Sequence, residues 1–304
     1  MSGEEEYLAA KGVPALCPPL THKDQTTMAI GDLFWLFFIV MALQPMLRQR
    51  FLILARARKI MQLQRKRGSR VITLVHRQET MRLLGFPLVR YIDIDDAEEI
   101  IRAIRETDPE TPIDIVLHTP GGLVIASMQI AAALRRHGGK ITAFVPHLAL
   151  SGGTLIALAA DRIVMAPHAM LGPIDPQIGG VPAASLARVV REKPIAEIDD
   201  QTLIHADIGE KATRQLRAAA TELLMRHMDA DKAAALADQL SRGDWTHDYP
   251  ITADEAIALG LPVTTDLPDE VADLMALYPQ PMRTTPSVEY GPTPEPRAPA
   301  RPRR

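Results

Sequence analysis

The sequence predicts an α/β fold built on a parallel sheet, preceded by one apolar helix suited to a membrane. Three observations carry this. Strand-like and helix-like segments alternate between residues 71 and 265, and such alternation produces parallel strands joined by crossover helices. Two glycine pairs, Gly121-Gly122 and Gly152-Gly153, each lie between a strand and a helix. The most apolar run, Leu33–Leu43, opens a stretch from Leu33 to Gln78 with no Asp or Glu, and nine Lys and Arg follow it between Arg48 and Arg70.

Composition narrows the function classes. At 304 residues and 47% hydrophobic, the chain can bury a sizeable core. Lys and Arg number 34 against 37 Asp and Glu, so the whole molecule offers no basic footprint for nucleic acid, and none is expected as a partner. Cys17 is the only cysteine, which excludes a disulfide framework and any Cys-rich zinc or iron–sulfur site. Neither GxGxxG nor a phosphate loop is present. No cofactor or metal is expected.

The elements follow in order. Residues 1–27 read as short, polar and irregular. Residues 28–47 have the length of a bilayer span, with Trp35 suited to an interface and Asp32 and Gln44-Pro45 shortening the apolar core. A helix lying in the interface, with its basic continuation on anionic lipid, remains the other reading. A cleaved signal peptide fits poorly, because the apolar run starts late and its basic flank is on the wrong side. The charges that follow the segment predict a single-pass chain with its large C-terminal part in the cytoplasm. Residues 48–68 read as a basic juxtamembrane helix and 69–278 as one α/β domain. The final 279–304, with eight of the 25 prolines, reads as an extended Pro/Arg-rich tail.

Within the domain, Val71–Val75, Leu88–Ile92, Ile113–Leu117, Lys140–Val145 and Arg162–Met165 read as strands. Asp95–Arg105 reads as a helix capped by Asp95, with Ile100, Ile101 and Ile104 on its apolar face. Leu123–Arg136, Thr154–Ala160, Asp199–His227, Ala230–Leu240 and Thr252–Leu259 also read as helices.

The chemistry concentrates at the glycine pairs. Leu117-His118-Thr119-Pro120-Gly121-Gly122 follows a buried strand and opens a helix, so its backbone can turn tightly and approach a ligand. Such a turn is also a common connector. Ala149-Leu150-Ser151-Gly152-Gly153-Thr154 repeats the setting with a serine. Ser151 fits two uses, a helix N-cap or a nucleophile at a helix start where negative charge is favoured. Together, a serine at one strand–helix junction and a glycine pair at a neighbouring one make a constellation for acyl transfer.

These residues also carry a resemblance. Thr119-Pro-Gly-Gly122, then Ser151-Gly-Gly153 running into Ile156-Ala-Leu-Ala-Ala-Asp-Arg-Ile163, resembles the Clp-protease/crotonase superfamily, in the style of its signal peptide peptidase A branch. Ile251-Thr-Ala-Asp-Glu-Ala-Ile-Ala-Leu-Gly-Leu261 resembles the helix and Gly-Leu turn that close these domains. From about Ser69 to Pro281 the chain is similar to the serine dehydrogenase proteinase family of membrane-linked Clp-class serine proteases.

The resemblance implies a spiral of ββα units, a homo-oligomer, peptide or protein substrates, and Ser151 as nucleophile. It implies an oxyanion-hole N–H from Gly121 and Gly122, with Gly152 helping. The histidine that Clp proteases place after the serine would fall near Gln177, where the chain has Asp175 and Pro176 instead. His168 lies too early. Signal-peptide-peptidase relatives use a lysine, which points to Lys193, with Lys211 as a second candidate. His247, near where the Clp aspartate falls, is an outside one. His76, His118 and His147 end strands at the active edge. Two other functions share this framework, a crotonase-like acyl-CoA enzyme and a non-catalytic membrane assembly protein.

Overall fold

A computed structural model of the chain describes residues 30–76, 81–83, 86–88 and 90–278. The expected N-terminal segment 1–27 and the tail from 279 lie outside them. By its contacts the chain divides after Phe51.

In the first part, the described residues are helical and belong to α1, Ile30–Arg67. This one helix carries both the apolar run and the basic stretch that the sequence separated at residue 47, and it continues through Pro45. Its length and composition suffice to cross a membrane. Phe34, Trp35, Phe37 and Phe38 are exposed on it, and Trp35 meets Phe34 and Phe38 edge-on.

The second part is organised by a five-stranded parallel sheet. Its strands are β1 (Arg70–Val75), β4 (Ile113–His118), β5 (Ile141–Val145), β7 (Arg162–Met165) and β12 (Val263–Thr264), in the spatial order β1-β4-β5-β7-β12. Side chains alternate between its two faces with the period of two that a strand imposes. Ile113, Ile115 and Leu117 of β4 point into the larger core with Ile141, Ala143 and Val145 of β5. Val116 and Phe144 point the other way, into a smaller core with Leu63 of α1, Val71, Val164, Val271 and Met275. The larger core is closed by α2 (Ile94–Arg105), α3 (Val124–Arg136), α4 (Gly152–Leu158), α6 (Asp200–Leu224), α7 (Ala230–Ser241) and α8 (Ala253–Ala258). Covering both faces is what a parallel sheet requires.

The smaller core is held by the last turns of α1 and by α9, Asp269–Ala276. Lys59 pairs with Asp273 at 2.8 Å, and Lys66 with Glu270. The Arg67 guanidinium pairs with the buried Asp114 carboxylate, which also accepts a hydrogen bond from Ser69 Oγ at 2.5 Å.

Several sequence boundaries move. The cap of α2 is Asp93, not Asp95: Asp93 Oδ1 accepts from Asp96 N–H at 2.9 Å, and Asp93 N–H donates to Asp96 Oδ2 at 3.1 Å, a reciprocal capping box. The expected strand Leu88–Ile92 is reduced to the end of β3 (Phe86–Leu88), which pairs with β2 (Met81–Leu83), and a single bridge from Ile92 to Gly122. Several elements were not anticipated, among them β6 (Leu148–Ala149) and β8 (Met170–Leu171), which form a second sheet with β11 (Ile251–Thr252), and the hairpin β9 (Gln177–Ile178) and β10 (Val181–Pro182). Two-residue strands are too short for a periodic signal. The helix α5, Ala183–Glu192, follows the hairpin.

Candidate active site

The site is assembled where β4 and β6 leave their sheets. Thr119 bridges to Ala149: Thr119 N–H donates to Leu148 O at 3.1 Å, and Leu150 N–H to Thr119 O at 3.0 Å. This lacing brings the Gly121-Gly122 loop against the Ser151 turn. A β-carbon added at Gly121, whose φ is +105°, would lie 2.7 Å from Ser151 Cβ. At Gly122 it would lie 2.3 Å from the backbone of Ile92. Both positions are therefore closed to any side chain.

Ser151 is the only described non-glycine residue with positive φ, at φ 50° and ψ −115°. Gly153 N–H donates to Leu150 O at 2.8 Å, so Leu150–Gly153 is a type II′ turn with Ser151 at the position that favours glycine. A strained serine between a strand and a helix is the arrangement of the nucleophile turns of α/β-hydrolases. The N-cap alternative fails on geometry, because the Ser151 side chain makes no capping hydrogen bond.

The amides around Ser151 divide by partner. Gly121 N–H donates to Thr119 Oγ1 at 3.1 Å. Thr119 Oγ1 lies 3.0 Å from His76 Nδ1, and His76 Nε2 lies 3.1 Å from Asp96 Oδ2. A carboxylate only accepts, so Nε2 carries a proton and neutral His76 accepts the threonine hydroxyl at Nδ1. Burial holds His76 below its ordinary pKa, against the raising effect of Asp96. This chain ties down the Gly121 amide. The N–H groups of Gly122 and Gly152 make no hydrogen bond to any described residue. Of the glycine pair, it is thus Gly122 whose N–H is left for a ligand.

Ser151, Gly122 and Gly152 open into a cleft of about 410 Å³. Val124, Leu150, Leu155, Ile174 and Leu216 give it apolar walls, and Asp175 and His247 line it too. His247 Nδ1 stands 2.8 Å from Asp175 Oδ1, and Gln177 Nε2 donates to Asp175 Oδ2 at 2.7 Å.

The expected base, Lys193, is not brought to this cleft. It ends α5 in an exposed position, with Nζ donating to Glu197 O at 3.1 Å. The segment folds outward because Pro194 and a 3₁₀ turn, Ile195–Glu197, follow it directly. Lys211 is exposed on α6 and paired with Asp207 at 2.5 Å. His168 is exposed in a turn. His118 is buried edge-on to His147 at 5.4 Å between ring centroids, away from the lining of the cleft. Asp175 was missed as a site residue. It lay in view beside the expected histidine position, but nothing local marks an aspartate after Ile174 as buried. Among the described residues no group of His, Cys, Asp and Glu is arranged to hold a metal ion.

Comparison with known proteins gives matches at two levels. Residues 20–301 match the family described as ClpP-like SDH-type serine proteinase. Two uncharacterized proteins of Methanocaldococcus jannaschii are similar over most of the chain. MJ0137 is 48% identical, covering 86% of this chain and 92% of that protein, and MJ1495 is 47% identical, covering 86% and 89%. Among solved structures, the 1510-N membrane-bound stomatin-specific protease is 24% identical with a TM-score of 0.42, covering 60% of this chain and 79% of that one.

Proposed function

The chain belongs to the ClpP-like SDH-type serine proteinases, and from this we propose that it is a membrane-associated serine peptidase whose nucleophile is Ser151. The strained turn that presents Ser151 is the observation that carries the reading. A positive φ at a non-glycine residue is costly, no capping bond accounts for it, and Ser151 shares its cleft with two unengaged amides.

In this reading Ser151 Oγ attacks the carbonyl carbon of a peptide bond. The oxygen that gains charge is received by Gly122 and Gly152 N–H, which are fixed before the reaction and need no reorganisation. The scissile C–N bond breaks, the amine leaves with a proton, and water releases the acyl group from Ser151. The apolar walls suit a peptide with an apolar side chain next to the scissile bond. A crotonase-like acyl-CoA enzyme would need no serine in this turn, and a non-catalytic assembly protein would need neither the strain nor the amides.

The long apolar and basic helix α1 supports membrane lipid as a partner, with the peptidase part on the cytoplasmic side where the eight positive charges of the helix belong. Ile195 and Ile204, 74% and 58% exposed, lie near the start of α6 and support a homo-oligomer through that surface. The test is a fluorophosphonate probe and a casein digest on the full chain and on Ser151→Ala. Wild type is expected to be labelled and to cleave, and the variant to do neither. Undiminished hydrolysis by Ser151→Ala would end the serine-peptidase reading.

A further inference from the structure

We propose that Asp96, His76 and Thr119 are positioning residues for the Gly121–Gly122 peptide, and that by gripping it from both sides they aim the Gly122 N–H that receives the oxyanion. This rests on the serine-peptidase reading and gives a role in the reaction to three residues that do not line the cleft.

Two hydrogen-bonded arms reach Gly121. The first holds its N–H, which donates to Thr119 Oγ1 at 3.1 Å. The Thr119 hydroxyl donates to His76 Nδ1 at 3.0 Å, and His76 Nε2 donates to Asp96 Oδ2 at 3.1 Å. The second arm holds the Gly121 carbonyl, which accepts from Ile92 N–H at 2.8 Å. Leu123 N–H returns a hydrogen bond to Ile92 O at 2.8 Å. Next along the chain is Asp93, whose N–H donates at 3.1 Å to the same Asp96 Oδ2. One carboxylate oxygen therefore anchors both arms.

The grip has a direction. A trans peptide sets its C=O and the following N–H on opposite sides, so holding Gly121 O against Ile92 fixes where Gly122 N–H points. Holding Gly121 N–H stops the preceding peptide from swinging. Gly121 has a φ of +105° and no side chain to limit its rotation, so the restraint must come from its partners. The first arm is dry: His76 is 5% exposed and Thr119 0%, and a partner lost there is costly. His76 has to accept at Nδ1, because Thr119 Oγ1 already receives Gly121 N–H and has one proton to give. A charged His76 would leave that proton only Gly121 O, at 3.4 Å. Burial favours the neutral imidazole, Arg90 acts in the same sense, and Asp96 and Asp93 oppose them. The arms exchange no proton with substrate.

The experiment measures inactivation of the full chain in detergent by a fluorophosphonate probe, separating the maximal rate from the probe concentration that gives half of it. The phosphoryl oxygen stands in for the oxyanion. Thr119→Val keeps the shape and removes the hydroxyl. It should lower the maximal rate about 10- to 100-fold, up to the loss of a whole oxyanion donor, with the half-maximal concentration unchanged. Thr119→Ser should restore the rate. His76→Gln reaches Asp96 with its amide but has no acceptor at the Nδ1 position, and should lose as much as Thr119→Val. The two changes combined should cost no more than either alone, since they cut one chain. A purely structural role would lower the melting temperature and leave the maximal rate of the folded protein at the wild-type value. That value in Thr119→Val or His76→Gln would overturn the proposal. So would an unrescued loss in Thr119→Ser, or losses that multiply in the double variant. Each of these leaves Ser151 as nucleophile. Wild type unlabelled at Ser151 would overturn both readings.

Discussion

Ser151 is held at φ 50° and ψ −115°, a conformation that costs a non-glycine residue about 1–3 kcal/mol. Removing its hydroxyl and relieving its strain are separable. Ser151→Ala keeps the β-carbon and therefore the strain, and with no capping bond to lose it should melt within a degree or two of wild type. Ser151→Gly frees the backbone. That gain exceeds the roughly 0.4–1 kcal/mol by which glycine stabilises the unfolded chain, so this variant should melt higher than Ser151→Ala while being equally inactive. Thermal melts of the two purified variants check this, and a glycine variant that melts lower would show that the turn is not strained. The sequence showed the serine between a strand and a helix. It did not show the positive φ, because that follows from Thr119–Ala149 lacing and the close approach of Gly121, both long-range.

Helix α1 joins two chemistries in one element. Its described apolar residues from Phe34 to Val40 are exposed, and its last turns are anchored by Leu63, Lys59, Lys66 and Arg67. Leu63 is 1% exposed in the smaller core, so the helix cannot detach from the sheet without leaving a cavity. Exposed apolar side chains such as Phe34, Trp35, Phe37 and Phe38 are stable together only when something apolar covers them. The full chain expressed in cells should therefore stay in the pellet on alkaline carbonate extraction, whereas a chain beginning at Leu52 should be released. Release of the full chain would favour a helix lying on the surface over one that crosses. The basic stretch was legible as a helix. That it is one with the apolar run, and that its end belongs to the catalytic core, was not legible, since the ion pairs to Asp273 and Glu270 span some two hundred residues.

At the scale of the folded domain, three histidines have pKa values shifted from the ordinary one. Burial depresses the pKa of His76 and of His227, whose Nε2 lies 3.2 Å from Leu158 O. Groups depressed in the folded state give stability that is present above the ordinary histidine value of about 6.5 and is lost as pH falls below it. His247 has the opposite sign: its raised pKa gives stability at low pH that is lost as pH rises through the raised value. Through His76 and His227 the melting temperature should fall between about pH 7.5 and about pH 5. His227→Gln can still donate to Leu158 O but does not titrate, so its fall should be smaller. An equal fall in the variant would place the acid sensitivity elsewhere.

Local pattern by itself determined four strands of the central sheet, β1, β4, β5 and β7, the helices α2, α3, α6 and α7 and the two glycine junctions, because period-two and period-3.6 burial are written in neighbouring residues. It also placed Ser151 and the glycine pair at strand–helix junctions, since the proposed nucleophile turn calls for a serine and small neighbours within a few positions. The resemblance to Clp-class proteases added the role of these residues, and it suggested Lys193 for the base by spacing along the chain. Only the tertiary structure could decide what faces Ser151. Asp175 and His247 are separated by 72 residues and meet because the turn before β9 and the turn before β11 close over the same cleft. Lys193, nearer in sequence, is turned outward by the proline after it. Proximity across a cleft is a property of how elements pack, and no spacing along one strand or helix encodes it.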